Sequence, residues 1–267
     1  MSQPETQTPP LDRWLKKLGT THGQLAYAAL ALTLISGVGL GVVYNPAAPL
    51  ASTEYIQGRL AFGALLRACH RLGGHALLIL LIVHLLDHLW VRNYRPLTAA
   101  VWWRVVGVGL LLIGAMFSGF VLRGDAEAAA ALGIAQGVTQ RLPGVGDPLA
   151  RFIFGAPDGA LHAMYLHHVV TFTLLPWLLT AEHARRLWSG WLPTTAVGAL
   201  LVLTALIHQP GLGAPPGESS GALLGPWYFV GLQELLRVAP VWLAAWAFPL
   251  LLVAMLGSLG HAEAQAG

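Results

Sequence analysis

Two pairs of histidines inside long apolar segments constrain this chain more than any other feature. His70 and His84 lie 14 residues apart in one segment. His168 and His183 lie 15 residues apart in another. On an α-helix, 14 residues rise about 21 Å and return to within about 40° of the starting direction, and one more residue adds about 100°. Each pair therefore points two imidazoles toward one side of its helix at two depths.

The composition indicates a membrane protein. The chain has 267 residues, of which 55% are hydrophobic and 10% are charged, whereas a soluble domain carries about 25% charged residues. The net charge of +3 gives no indication of nucleic-acid binding. Six apolar stretches approach the length of a membrane span; they cover residues 24–44, 72–91, 102–122, 163–181, 192–208 and 239–258. We predict an all-α polytopic membrane protein with about six transmembrane helices.

The alternation of polar and apolar segments divides the sequence into three parts. Residues 1–22 are polar and form a predicted cytoplasmic lead, and the first apolar segment lacks the cleavage pattern of a signal peptide. Residues 23–190 are predicted to form a four-helix bundle, and 191–267 a part with two further helices. Arginine and lysine are concentrated in the short segments on the N-terminal side of the membrane, so we expect the N-terminus in the cytoplasm. A bacterial inner membrane is the predicted location.

Ligating side chains are costly in hydrocarbon and usually mark function there. Two such helices facing each other would stack two His–His sites along the membrane normal, which is the layout for holding two haems by axial ligation. The single cysteine, Cys69, excludes a C-x-x-C-H attachment site, so haem b bound without a covalent link is expected. His167 is an alternative to His168, although it points about 100° further round the helix. Chance spacing among eleven histidines is the competing explanation for either pair.

Two glycines in the first apolar segment have the same 14-residue spacing as His70 and His84. Gly23 and Gly37 are also 14 residues apart, and Gly119 lies near the end of the third segment. A flat, wide haem needs flanking helix positions without side chains, although glycine in membrane helices often serves helix packing alone. Arg67 precedes His70 by three residues. It is placed either for a haem propionate or for anchoring at the membrane interface.

The sequence around these residues resembles the cytochrome b subunit of quinol-oxidising cytochrome bc complexes. The resemblance covers about residues 23–258 and is carried by LISGVGLGVVYNPAAPLASTEYI, FGALLRACHRLGGHALLILLIVH, SGFVL, LPGVGDPLARFIFG, GPWYF and LQELLR. It implies that His70 and His168 ligate a haem near the outer face, and that His84 and His183 ligate one near the inner face. It also implies quinol oxidation at the outer face, with one electron passing to an outer acceptor and the other through the haems.

The resemblance further implies a multi-subunit complex, with a dimer as one option. The partner would be a Rieske iron–sulfur protein or a multihaem cytochrome c. Two other functions stay open on the sequence alone. One is a haem-bearing membrane anchor of a dehydrogenase or hydrogenase that reduces quinone. The other is a haem-free membrane transporter.

The predicted outer quinol site departs from the family pattern. Pro226 stands where the family's Pro-Glu-Trp-Tyr motif has the glutamate that accepts a quinol proton, and proline cannot do acid–base chemistry. Arg123-Gly124-Asp125-Ala126 replaces the family's Pro-Trp-Gly-Gln or Pro-Trp-Asp-Gln. Glu234 and Asp125 are the predicted substitute proton acceptors. Six predicted spans also stand against eight in the longer family members.

Overall fold

The structure, a computed structural model, describes residues 10–92, 94–95, 97–155, 160–186, 191–218 and 221–262. These residues form helices and connecting turns, and no strand occurs among them. The α-helices in chain order are α1 (Pro10–Val43), α2 (Pro49–Gly58), α3 (Gly63–Trp90), α4 (Ala99–Val121), α5 (Ala126–Gln140), α6 (Gly146–Phe154), α7 (His162–Leu166), α8 (Leu175–Arg186), α9 (Trp191–Ile207), α10 (Val230–Val238) and α11 (Phe248–Ala262).

Four helical stretches in the described part of the chain are long and apolar enough to cross a membrane. They are His22–Val43, Gly63–Trp90, Ala99–Val121 and His162–His183. Two shorter apolar helices, Thr194–Ile207 and Leu243–Leu259, correspond to the fifth and sixth predicted stretches. The prediction of a helical polytopic membrane protein is therefore confirmed. The first helix is longer than its apolar stretch, because the amphipathic lead continues into the span from Pro10 without a break.

The four long spans pack as two tight pairs. Helix α1 runs along α3, and α4 runs along the fourth span, His162–His183. Glycine permits both approaches: a Cβ on Gly73 would lie 2.5 Å from Thr33 Oγ1, and one on Gly114 would lie 2.8 Å from the Phe172 ring. Contacts between the two pairs are much fewer than contacts within them. The bundle therefore has a space between the pairs that side chains from both sides can enter.

The remaining apolar helices pack on the outside of this bundle. Helix α9 lies against α1 and α3, and α11 lies against α4. The α11 contact is close because Gly257 faces the ring of Trp103, and the buried Trp102 donates its indole N–H to Leu256 O at 2.6 Å. These two contacts fix the C-terminal part of the chain against the third span.

The fourth span contains a π-helical turn, His167–Leu174, between α7 and α8. Its i→i+5 hydrogen bonds accommodate more residues per turn than an α-helix does. Thr173 Oγ1 donates to His168 O at 2.6 Å within this turn. The wider turn offsets the rotation that an ideal α-helix would place between His168 and His183 at a 15-residue spacing. The two imidazoles therefore reach the same side of the span.

Candidate functional site: two facing histidine pairs

His70 and His168 face each other across the space between the helix pairs. Their ring centroids are 6.1 Å apart and the ring planes are 73° from parallel. Each imidazole lies against a glycine of the adjacent helix. A Cβ on Gly37 would lie 2.9 Å from His70 Cε1, and one on Gly119 would lie 3.0 Å from His168 Cε1. Side chains at either glycine would displace the imidazole.

The same hydrogen-bond pattern orients both of these imidazoles. His70 Nδ1 donates to Thr33 O at 2.9 Å, with Ser36 Oγ at 3.5 Å. His168 Nδ1 donates to Ala115 O at 3.1 Å, with Ser118 Oγ at 2.9 Å. Because a backbone carbonyl can only accept, Nδ1 carries the proton and the lone pair is on Nε2. An outer hydrogen bond of this kind fixes the tautomer of a metal-ligating histidine.

The second histidine pair lies toward the opposite membrane face. His84 and His183 have ring centroids 6.1 Å apart, at an interplanar angle of 50°. The His84 ring also lies 4.2 Å from the His88 ring at a tilt of 48°, and His88 Nδ1 donates to His84 O at 3.1 Å. His183 is exposed in the single chain. The two pairs thus repeat the same ring separation at two depths of one bundle.

That separation fits axial ligation of a haem iron. Two metal–nitrogen bonds of about 2 Å, with about 1 Å from each nitrogen to its ring centre, place two ring centroids about 6 Å apart. Both observed separations are 6.1 Å. The imidazole of His70 also has the tautomer that ligation requires. The residues present at both levels therefore fit a bis-histidine haem.

His167 points away from this space. Its Nε2 donates to Phe152 O at 3.0 Å, and its Nδ1 lies 3.0 Å from Thr171 Oγ1. Its ring also meets the Phe152 ring edge-on at a centroid distance of 5.3 Å. Both nitrogens are thus engaged with neighbours on the outside of the bundle. His168, not His167, is the residue that the structure brings opposite His70.

The other predicted cofactor contacts lie at the ends of these helices. Arg67 is half-buried one turn before His70, and its Nη1 donates to Gln57 Oε1 on α2. Gly23 is buried on α1. Arg67 is therefore held at the outer end of the site by α2.

The segment Trp227–Phe229, which the sequence predicts to belong to a quinol site, docks against α3 and α4. Tyr228 OH donates to Met116 O on α4 at 2.8 Å, and the Phe229 ring meets Phe117 edge-on at 5.6 Å. Trp227 Nε1 donates to His75 Nδ1 on α3 at 2.8 Å. Burial raises the pKa of the Tyr228 phenol above its ordinary range, and the nearby Arg123 charge partly opposes this. The Tyr228 hydroxyl therefore remains a hydrogen-bond donor at physiological pH.

The two predicted proton acceptors occupy unlike positions. Asp125 is buried, with Oδ1 capping α5 through Ala128 N at 3.0 Å and Oδ2 accepting from Arg123 Nε at 2.8 Å. Gly213 packs directly against its carboxylate, where a Cβ would overlap it. Glu234 is exposed on α10 and pairs with Arg237 at 3.3 Å. The structure does not bring these two carboxylates together.

Three residues near these sites were missed at the level of sequence. Ser36 and Ser118 each precede a glycine that lies against His70 or His168, and the repeated Ser-Gly dipeptide was the signal available. Glu127 pairs with Arg123 at 3.1 Å, and its spacing of four residues from that arginine could have indicated the contact.

These features define a class: a helical membrane protein with two stacked bis-histidine sites between two helix pairs. A family model described as Cytochrome b/b6/petB matches residues 15–187. The chain belongs to the cytochrome b family. Membership implies haem b as its prosthetic group.

Similar proteins cover different shares of the chain. Cytochrome b of Solanum tuberosum is 27% identical over 216 residues, which is 78% of this chain and 50% of that protein. Cytochrome b of Allochromatium vinosum is 28% identical over 162 residues, covering 59% of this chain and 38% of that one. The chain thus spans about half the length or less of these relatives. A solved structure titled hyperthermophilic respiratory Complex III has the same fold, with a TM-score of 0.71 at 19% identity, over 96% of this chain and 76% of that one.

Proposed function

We propose that this chain is the di-haem cytochrome b subunit of a quinol-oxidising, cytochrome c-reducing membrane complex. The observation that carries the proposal is the pair of facing imidazoles repeated at two depths with one separation, 6.1 Å. His70 and His168 would hold the outer haem b, and His84 and His183 the inner one. A haem bound at each level supplies a one-electron carrier, and two levels span the bilayer interior.

The chain's own residues prepare the outer site. Thr33 O and Ala115 O hold the Nδ1 protons, which leaves the Nε2 lone pairs of His70 and His168 available to ligate an iron between them. Gly37 and Gly119 allow the helices to approach the imidazoles without displacing them. Arg67 would neutralise a haem propionate at the outer end.

Quinol would be oxidised on the outer side, with the partner a Rieske iron–sulfur protein or a multihaem cytochrome c. The relatives named cytochrome b and the fold shared with a respiratory Complex III support this assembly. The N-terminus would lie in the cytoplasm, in a bacterial inner membrane. Asp125 and Glu234 remain the carboxylates predicted from the sequence as proton acceptors.

Haem stoichiometry in single-histidine variants tests the proposal. The purified wild-type chain should contain two haems b by pyridine haemochrome, and His70→Ala and His84→Ala should each retain one. His208→Ala, at an exposed position near the end of α9, should retain both. Reduction of the haems by added quinol, together with co-purification of an iron–sulfur protein or cytochrome c, tests the assigned complex. Unchanged haem content in both ligand variants would contradict the assignment.

A further inference from the structure

A cavity of about 310 Å³ lies at the outer end of the bundle. It opens between the start of α5 and the connection that leads from α9 to Trp227. Its wall contains the charged side chains Arg123 and Glu127, the apolar side chains Leu212 and Leu223, and small residues between them. This volume is at the lower end of small-molecule sites and matches a planar head group. A wall that combines the ion pair of Arg123 and Glu127 with the apolar side chains of Leu212 and Leu223 offers a hydroxylated aromatic ring both a hydrogen-bond partner and a packing surface.

The cavity is close to the outer histidine pair. Arg123 follows Gly119, which packs on His168, by four residues, in the turn that ends α4. The arginine packs over the Phe120 ring at 4.7 Å. Tyr228, which is bonded to α4, interacts electrostatically with Arg123. The cavity therefore lies between the outer surface and the level of His70 and His168.

Only one of the two carboxylates beside Arg123 is available to a bound molecule. Both oxygens of Asp125 are engaged, and its side chain is 4% exposed. The side chain of Glu127 is 38% exposed and lines the cavity. Its Oε2 accepts from Arg123 Nη2 at 3.1 Å, and its Oε1 has no hydrogen-bond partner within the described part of the chain. Arg123 thus holds Glu127 by one oxygen and leaves the other available to a molecule in the cavity that Glu127 lines.

We propose that Glu127 accepts a proton from quinol bound in this cavity, in the role lost where Pro226 replaces a glutamate. The proposal rests on the proposed function. The O–H bond of one quinol hydroxyl breaks and its proton forms an O–H bond with Glu127 Oε1. The second hydroxyl gives its proton to water, and the two electrons leave singly: one to an outer acceptor of the iron–sulfur or c-type cytochrome class, and the other to the one-electron carrier that the proposed function assigns to the outer histidine pair. Quinol becomes quinone, and the partly exposed Glu127 releases its proton to the outer aqueous phase.

The charged and titratable groups around Glu127 come from several elements. Arg123 and Asp125 lie beside it at the end of α4 and the start of α5. Arg67 on α3 interacts with both of these residues, and Tyr228 interacts with Arg123. The Glu127 variants therefore keep these four residues unchanged, so that a change in the pH profile can be attributed to Glu127.

The test measures quinol oxidation by the intact complex in native membranes. The probes are decyl-ubiquinol and reduced menadione, and the readouts are kcat, KM and their pH dependence. We expect Glu127→Gln to lower kcat about 100-fold at pH 7 with KM changed less than 3-fold, since a positioned base contributes about this much. Activity should recover as the pH rises and hydroxide or water replaces the base. Glu127→Asp should restore part of the rate, and haem content should match wild type.

The controls separate this proposal from the proposed function. Glu218→Gln removes an exposed carboxylate that does not line the cavity, and should leave the rate unchanged. Leu212→Trp fills the cavity and should raise KM or abolish oxidation, which checks the cavity without altering the carboxylate. Wild-type rate and pH profile in Glu127→Gln would overturn the role of Glu127 alone. The same conclusion follows if only Glu234→Gln or Asp125→Asn lowers kcat. A wild-type complex that holds two haems but oxidises neither quinol overturns the proposed function as well.

Discussion

The outer and inner histidine pairs have the same ring separation and different surroundings. At the outer pair, each imidazole touches a glycine, and its Nδ1 is held by a backbone carbonyl and a nearby serine. At the inner pair, His84 lies against His88 and His183 is exposed. The glycines of α4 nearest that end, Gly107 and Gly109, would present an added Cβ to open space.

The inner end also contains polar atoms that the described residues do not satisfy. His22 Nδ1 and Asp87 Oδ2 are buried without a hydrogen-bond partner among those residues, and each such atom costs about 1–3 kcal/mol. Helix contact thus determines the geometry of the outer pair closely, whereas Gly107 and Gly109 leave room for a larger side chain at the inner end of α4. Substitutions of equal size should therefore have larger effects at the outer pair.

The largest expected effect comes from replacing, one at a time, the two adjacent histidines of the fourth span by alanine. His168→Ala should remove the outer haem and leave one haem per chain, because only this imidazole faces His70. His167→Ala should retain both haems and destabilise the bundle by about 1 kcal/mol through loss of its bond to Phe152 O. Pyridine haemochrome content and thermal unfolding measure the two outcomes. Loss of a haem in His167→Ala alone would reverse the assignment.

Glycine substitutions test whether the outer pair is the more closely packed. Gly37→Val or Gly119→Val should displace a ligand imidazole and lower outer-haem occupancy by half or more, since a Cβ alone would lie within about 3 Å of the ring. Gly107→Val is the matched control and should retain both haems. Reduced-minus-oxidised spectra distinguish the two levels. Equal losses in all three variants would remove the contrast between the two pairs.

A substitution of Asp125 tests how far the turn between α4 and α5 stabilises the outer histidine pair. Asp125→Ala removes a helix cap and a buried partner of Arg123, so it should destabilise the protein by about 2–3 kcal/mol. We expect haem release on heating to begin at the outer level. Absorbance melting of the b-type band monitors this, with Asp147→Asn on α6 as a control. Earlier release from the inner level would contradict the expected order.

The smallest expected effect concerns the serines. Ser118 Oγ is 2.9 Å from His168 Nδ1, whereas Ser36 Oγ is 3.5 Å from His70 Nδ1. Loss of an acceptor at Nδ1 weakens the ligand's basicity and raises the haem potential. A differential of about 0.5 kcal/mol corresponds to roughly 20 mV for one electron. Redox titration should show this rise in Ser118→Ala and a smaller one in Ser36→Ala.

Periodicity and spacing were sufficient for much of the architecture. Apolar segments of spanning length predicted a helical membrane protein, because a bilayer admits few other structures. The 14-residue interval predicted two ligand levels on one helix, since that interval returns to nearly the same helix direction. The Ser-Gly motifs and flanking sequences predicted the family, which the match over residues 15–187 confirms.

The sequence by itself therefore determined the class, the family and the candidate ligands, because these follow from composition and local helix geometry. Spacing favoured His168 over His167, but only the tertiary structure decided which imidazoles face each other, because His70 meets His168 from a segment almost one hundred residues away. Both histidines lie in the π-helical turn His167–Leu174, where His168 faces His70 and His167 contacts Phe152 O. The same holds for the carboxylates at the outer end. Gly213 packs on Asp125 and encloses its carboxylate, whereas Glu127 lines the cavity. This difference depends on a contact between segments almost ninety residues apart in the chain.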